Sequence, residues 1–170
     1  MGRRRLAREI ALQALYVADV SRTPAEEAFA MVTRREGGEA DEETLSFARD
    51  LAIGTLARVE EIDGLIQARA ENWAMNRMAA VDRNVLRLAA FELTARPDTP
   101  LGVVIDEAIE IVRKYSTEEA TRFVNGVLDA LKPLREAPKP KKPRAPRGKA
   151  SPSEPKNPAD SGHDSPPARE

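Results

Sequence analysis

Cysteine is absent from the 170 residues, which excludes a disulfide framework, a thiolate nucleophile and any zinc site built on sulfur. Histidine occurs once, at His163, inside a stretch expected to be disordered, so no positioned imidazole base is available. Aromatic residues make up only 4%, while alanine and leucine recur throughout, a mixture that favours helices over a β-sandwich. No run of 18 apolar residues exists, so no membrane span is expected. Arg8 and Glu9 interrupt the stretch behind the N-terminal arginines, which therefore does not read as a signal-peptide core, and a cytoplasmic location is expected. A Walker loop, G-x-G-x-x-G and G-x-S-x-G are all missing. Acidic pairs do occur, at Asp106-Glu107 and Glu118-Glu119, but adjacent positions on a helix diverge by about 100°. They suit solvated faces or helix N-termini. The sequence therefore predicts no enzyme, no metal site, no cofactor and no small-molecule substrate.

What is present is charge, unevenly spread. Net charge is −1, yet residues 137–170 hold eight basic and four acidic residues, against 19 basic and 24 acidic before them. Nine of the 13 prolines also follow residue 136, and after Leu134 there is no Val, Ile, Leu, Met or aromatic residue. Such a segment buries too little apolar surface to offset its ordering entropy. The chain thus divides into a helical domain at 1–135 and a disordered basic, Pro/Lys-rich tail at 136–170. The tail serves solubility, or a weak non-specific attraction for RNA; charge alone does not separate the two.

Before the boundary the apolar period is helical. Leu6, Ile10, Ala14, Val17 and Ala18 give a buried stripe from about Arg4 to Val20. Thr23-Pro24-Ala25-Glu26 predicts a cap and a second helix to about Arg35, ended by Gly37-Gly38. A long apolar pattern from Asp41 to Ala70 predicts two helices broken near Leu56–Glu61, with Gly54 and Gly64 as further weak points. Another helix spans about Ala79–Ala95 and closes at Pro97-Asp98-Thr99-Pro100. Val104 to Val112 form the next, and Ser116-Thr117-Glu118-Glu119 turns into a last helix that runs to Leu131 before Pro133. No segment alternates as a strand, so the expected fold is an all-α compact bundle of about seven helices.

Candidate binding residues cluster at Arg3-Arg4-Arg5-Leu6-Ala7-Arg8. Arg4, Arg5 and Arg8 are linked by i,i+3 and i,i+4 spacing, so guanidinium groups can project from one side of the first helix. Their planar forks suit phosphate. The helix macrodipole disfavours cations at an N-terminus, so something other than helix stability is expected to explain them. A merely solvated basic end is the competing reading. Arg83 and Arg87 share a face four residues apart, and Arg122 precedes Phe123-Val124-Asn125-Gly126. Asn125 and Gly126 are both poor mid-helix residues. A close helix–helix contact is the plain explanation for Gly126, and recognition by a polar side chain is the functional one for Asn125.

At these residues a family resemblance emerges. Arg4-Arg5-x-Ala7-Arg8-Glu9 leading to Gln13-Ala14-Leu15-Tyr16 resembles the opening of the NusB antitermination family. Asp82-Arg83-x-Val85-Leu86-Arg87-Leu88-Ala89-x-Phe91-Glu92-Leu93 is similar to its central helix. Ile105-Asp106-Glu107-Ala108-Ile109-Glu110 and Arg122-Phe123-Val124-Asn125-Gly126-Val127-Leu128-Asp129 resemble its C-terminal pair. The likeness covers about residues 3–134 in order, although Asp106 stands where asparagine is common. It implies a seven-helix fold that binds boxA RNA of nascent ribosomal RNA transcripts with the ribosomal protein NusE. With them it joins the RNA polymerase antitermination complex, promoting read-through and ribosomal RNA maturation. It implies RNA contacts at Arg4, Arg5 and Arg8, followed by Gln13 and Tyr16. Arg83, Arg87, Arg122 and Asn125 would extend that surface if the last helices pack beside the first, with the protein partner on the outer face of the helices at 79–115. So few aromatics suggest little base stacking by this domain.

Two other functions compete. A NusB-like domain can accompany an enzyme that modifies ribosomal RNA, which would require a Rossmann-like domain downstream. A protein-interaction scaffold without RNA binding would leave the N-terminal arginines unexplained.

Overall fold

The computed structural model describes residues 2–36, 38 and 40–136, and these are helical with no strand among them. The tail expected at 136–170 lies, from residue 137 on, outside the described residues. In order the helices are α1 (Arg3–Ser21), α2 (Ala25–Glu36), α3 (Glu42–Ala57), α4 (Val59–Gln67), α5 (Ala80–Ala95), α6 (Leu101–Tyr115), α7 (Glu118–Leu131) and the single turn α8 (Pro133–Glu136). A short 3₁₀ turn at Met75–Arg77 precedes α5. No helix is long and apolar enough to cross a membrane among the described residues.

Local chemistry sets most boundaries. The Asp41 carboxylate accepts the Thr44 N–H at 2.9 Å and caps α3; the Thr117 hydroxyl accepts the Ala120 N–H at 3.1 Å and caps α7. The break between α3 and α4 falls at Arg58, within the expected interval. The start of α2 differs from expectation. Its first turn is closed by the Pro24 carbonyl, which accepts the Ala28 N–H at 2.9 Å, so Pro24 occupies the position expected for Thr23. At the other end, Pro133 does not stop the chain from turning once more. Arg135 on α8 donates to the carbonyls of Glu92 (2.9 Å), Leu93 (2.8 Å), Arg96 (3.2 Å) and Thr99 (2.7 Å), satisfying the open C-terminal end of α5.

The core forms around α5, which packs against α1, α3, α4, α6, α7 and α8. Eleven of its 16 residues are buried, from Asp82 to Leu93 with only Arg83 excepted. Ile10 and Leu15 of α1, Leu51 of α3, Ile62 and Ile66 of α4, Ile111 of α6 and Leu128 and Leu131 of α7 meet it, each essentially inaccessible. Burying one such aliphatic side chain contributes about 1.5–3 kcal/mol.

The close contact expected at Gly126 is found at Gly54 instead. A Cβ added at Gly126 would meet nothing within 4 Å, and the residue is exposed, so no close helix contact explains it. Gly54 does not break α3. A Cβ there would overlap the ring of Phe91, so its missing side chain lets α3 approach α5.

Candidate nucleic-acid interface

The N-terminal arginines do not project as one basic face. Arg8 is 4% exposed and forks onto Glu92 of α5, with Nε to Oε1 and Nη2 to Oε2 both 2.8 Å. Expected at the surface, Arg8 instead lies inside and spans the core contact between α1 and α5. Arg5 forks onto Glu107 of α6 in the same way, at 2.8 Å twice, with its side chain a little over one-third exposed. The hydrogen bond from Arg5, opposed by partial burial, holds the Glu107 carboxyl below the usual range. Arg3 and Arg4 stay at the surface, paired with Asp41 (2.9 Å) and Glu43 (3.3 Å) of α3. Cations at this helix N-terminus are explained by carboxylates on neighbouring helices, a partnership that the sequence of α1 alone does not show.

Arg83 and Arg87 also turn inward onto carboxylates. Arg87, 7% exposed, forks onto Asp63 of α4 at 2.7 Å twice, and lies 3.2 Å from Asp19 of α1. Arg83 donates to Asp19 at 2.9 and 2.7 Å and to the carbonyls of Met75 and Met78 at 3.1 and 3.0 Å. Asn84 adds a third donor to Asp19 at 2.9 Å. Burial alone would raise the Asp19 carboxyl, but the hydrogen bonds from Arg83 and Asn84 and the charge of Arg87 bring it below its ordinary value. The network fastens the segment before α5 to α1 and α4. One acceptor beside it stays open: Asp82 is buried, and its Oδ1 has no partner among the described residues.

Gln13 and Tyr16 lie elsewhere. At 100° per residue they stand about 180° and 120° around α1 from Arg4, and Tyr16 is about 18 Å farther along the axis. Both line an apolar groove of about 400 Å³ with Leu12, Met31, Val32 and Val81. This is a different surface from that of Arg4.

The last two candidates, Arg122 and Asn125, are exposed on α7. That helix packs mainly on α5 and α6, so it does not lie beside α1 to extend the basic end. Arg122 reaches back only to Glu118, at 2.7 Å in an exposed i,i+4 pair. Next to it Phe123, half-buried, meets the half-exposed Trp73 with ring centroids 5.6 Å apart and planes tilted by 53°. The segment carrying Trp73 is fixed from both sides. Gln67 donates to the Trp73 carbonyl at 3.0 Å and accepts the Met75 N–H at 2.9 Å, and Arg83 holds Met75 and Met78. Trp73 is thus held half-exposed against Phe123, one position along α7 from the exposed Arg122, an arrangement suited to an unstacked base and the backbone beside it; Asn125 stands about 160° around α7 from Phe123 and faces another side.

The NusB family model matches residues 5–133, which is most of the chain and all of its helical core. The chain belongs to the NusB family. A relative described as transcription antitermination protein NusB, from Solibacter usitatus, is 46% identical over 140 residues, covering 82% of this chain and 94% of that protein. Among solved structures, T. maritima NusB superposes with a TM-score of 0.71 at 38% identity, over 78% of this chain and 92% of that one. A NusB solved with NusE and double-stranded RNA gives a TM-score of 0.71 at 31% identity, over 77% and 96%.

NusB membership carries an antitermination role without a catalytic step. It leaves the position of the interface to geometry, and here sequence reasoning missed several residues. Trp73 carried no signal, being a single aromatic in a loop, and nothing in the sequence links it to Phe123, 50 positions on. Glu92 and Phe47 also escaped notice, because each acts through arginines more than 38 positions away in the chain. The outer face of the helices at 79–115 narrows too: α5 is central, and the outward positions belong to α6, with Val103 and Tyr115 exposed.

Proposed function

We propose that the chain, together with the ribosomal protein NusE, binds boxA RNA of nascent ribosomal RNA transcripts in the RNA polymerase antitermination complex, and so works in the cytoplasm. The observation that carries this reading is the half-exposed Trp73 ring packed on Phe123, next to the exposed Arg122. Single-stranded RNA is recognised by splaying bases onto aromatic rings and guanidinium planes and bonding their edges. Trp73 supplies the ring, backed by Phe123, and Arg122 a cation for the backbone, while Asn125 offers an amide with donors and an acceptor on the far side of Arg122.

Of the arginines, Arg4 is placed to meet phosphate directly, whereas Arg8, Arg83 and Arg87 act by holding helices and the Trp73 segment in position. Arg5 does both in part. Gln13 and Tyr16, in their apolar groove, and the outward face of α6 are left for protein contact, and NusE enlarges an interface that is modest without it. Replacing both rings, Trp73→Ala with Phe123→Ala, tests this. Loss of roughly 1–3 kcal/mol of RNA affinity per stacked base supports it, and undiminished affinity in a folded variant contradicts it.

A further inference from the structure

Three guanidinium groups surround one phenyl ring at the opposite end of α1. The centres of Arg4, Arg96 and Arg8 lie 4.3, 5.1 and 5.7 Å from the centroid of Phe47. Phe47 is 8% exposed, so it is not itself a stacking surface; it is the shelf on which the cations rest. Arg8 is neutralised by Glu92 beneath. Arg4 and Arg96 face outward, and their ion pairs are the two longest among the described residues, 3.3 Å to Glu43 and 3.8 Å to Asp50. Arg96 donates no side-chain hydrogen bond at all among the described residues, although it carries five N–H groups. A cleft of about 400 Å³ opens beside these residues, lined also by Asp98, Thr99, Pro100 and Val103.

We infer that this cleft is a backbone-phosphate site for RNA, in which Arg4 and Arg96 share one phosphate. The inference rests on the RNA-binding reading above and adds Arg96 and Phe47 to it. Two planar forks held over the same ring are less than 10 Å apart, by the sum of their distances to its centroid. Their orientation is set in advance by the shelf, so little side-chain freedom is lost on binding. The site has its own anchor in the fold. Arg135 bonds the carbonyls of Arg96 and Thr99, fixing the α5–α6 connection that forms the far wall. A phosphate contact positions the strand and reads no base.

The experiment uses the full chain and two fluorescein-labelled RNAs of one length, boxA-like and scrambled, titrated by anisotropy across a salt series. Arg96→Ala should weaken binding roughly tenfold on both RNAs, the scale of one charge-assisted hydrogen-bonded contact. It should also make the log–log salt slope less negative by about 0.7, one single-strand phosphate. Arg96→Lys should restore the slope but only part of the affinity. Arg4→Ala with Arg96→Ala should cost little more than either alone, since both serve one phosphate. An unchanged melting temperature in Arg96→Ala keeps the comparison clean.

If the wild-type chain binds RNA and Arg96→Ala binds equally well with the same slope, the site is overturned while the functional reading stands. If Arg96→Ala leaves RNA binding intact but weakens NusE, the cleft belongs to a protein and the inference is wrong. If the wild-type chain binds no RNA, the functional reading falls and takes this one with it.

Discussion

Arg8 and Glu92 close a bidentate ion pair inside the core, with two hydrogen bonds of 2.8 Å and side chains only 4% and 2% exposed. The pair joins the first helix to the central one, and it turns a residue that looks like a nucleic-acid contact into an internal strut. Its behaviour on mutation follows from the cost of stranding a buried charge.

Glu92→Ala should destabilise the fold by about 3–5 kcal/mol, because Arg8 is left buried without a counter-charge. Replacing both partners, Arg8→Met with Glu92→Leu, should recover most of that loss, since an apolar pair of similar size avoids desolvation altogether. Urea denaturation of the single and double variants checks this. A double variant no more stable than Glu92→Ala would show that the pair contributes more than mutual neutralisation.

Acid should act through Asp19 and Glu107. Both carboxyls are held below their ordinary values in the folded chain, Asp19 by Arg83, Asn84 and Arg87 against the effect of burial, and Glu107 chiefly by the hydrogen bond from Arg5. A depressed folded-state value means that the contribution is complete above the unfolded values of roughly 4 and is lost as pH falls through the folded ones. Stability should therefore decline as pH drops below about 5, and Asp19→Asn should flatten that decline while lowering stability at neutral pH. Melting temperatures between pH 3 and 7 provide the check; parallel curves for wild type and variant would contradict it.

Gly54 and Gly126 should respond in opposite senses to the same change. Gly54→Ala drives a methyl group into the Phe91 ring and should cost about 1–3 kcal/mol. Gly126→Ala fills open space in mid-helix and should stabilise by about 0.4–1 kcal/mol. Thermal unfolding of the two variants separates them, and a destabilised Gly126→Ala would restore the packing explanation.

The contrast between those glycines shows what the sequence does and does not reveal. Helical periodicity, the caps at Asp41 and Thr117 and the break at Arg58 are local properties, written in residues within one or two turns of each other. Which glycine lies under a ring, and which arginine meets a carboxylate, depends on helices brought together from 24 to 102 positions apart. The N-terminal arginines were recognisable as significant, but a cation that binds phosphate and one that binds Glu92 have the same local signature. The Trp73–Phe123 pair was less legible still, since a loop tryptophan and an amphipathic phenylalanine carry no mark of each other. Family motifs supplied the role and left the surface that performs it to the fold.

That surface is tested most directly by anisotropy of the full chain with labelled boxA-like and scrambled RNAs, with and without NusE, from low to high salt. The expected result is selective binding of the boxA-like RNA, strengthened by NusE, with a log–log salt slope of roughly −2 to −4 for about three to five phosphates on a single strand. Equal binding of both RNAs, or none with NusE present, would contradict the assignment of RNA recognition to this bundle.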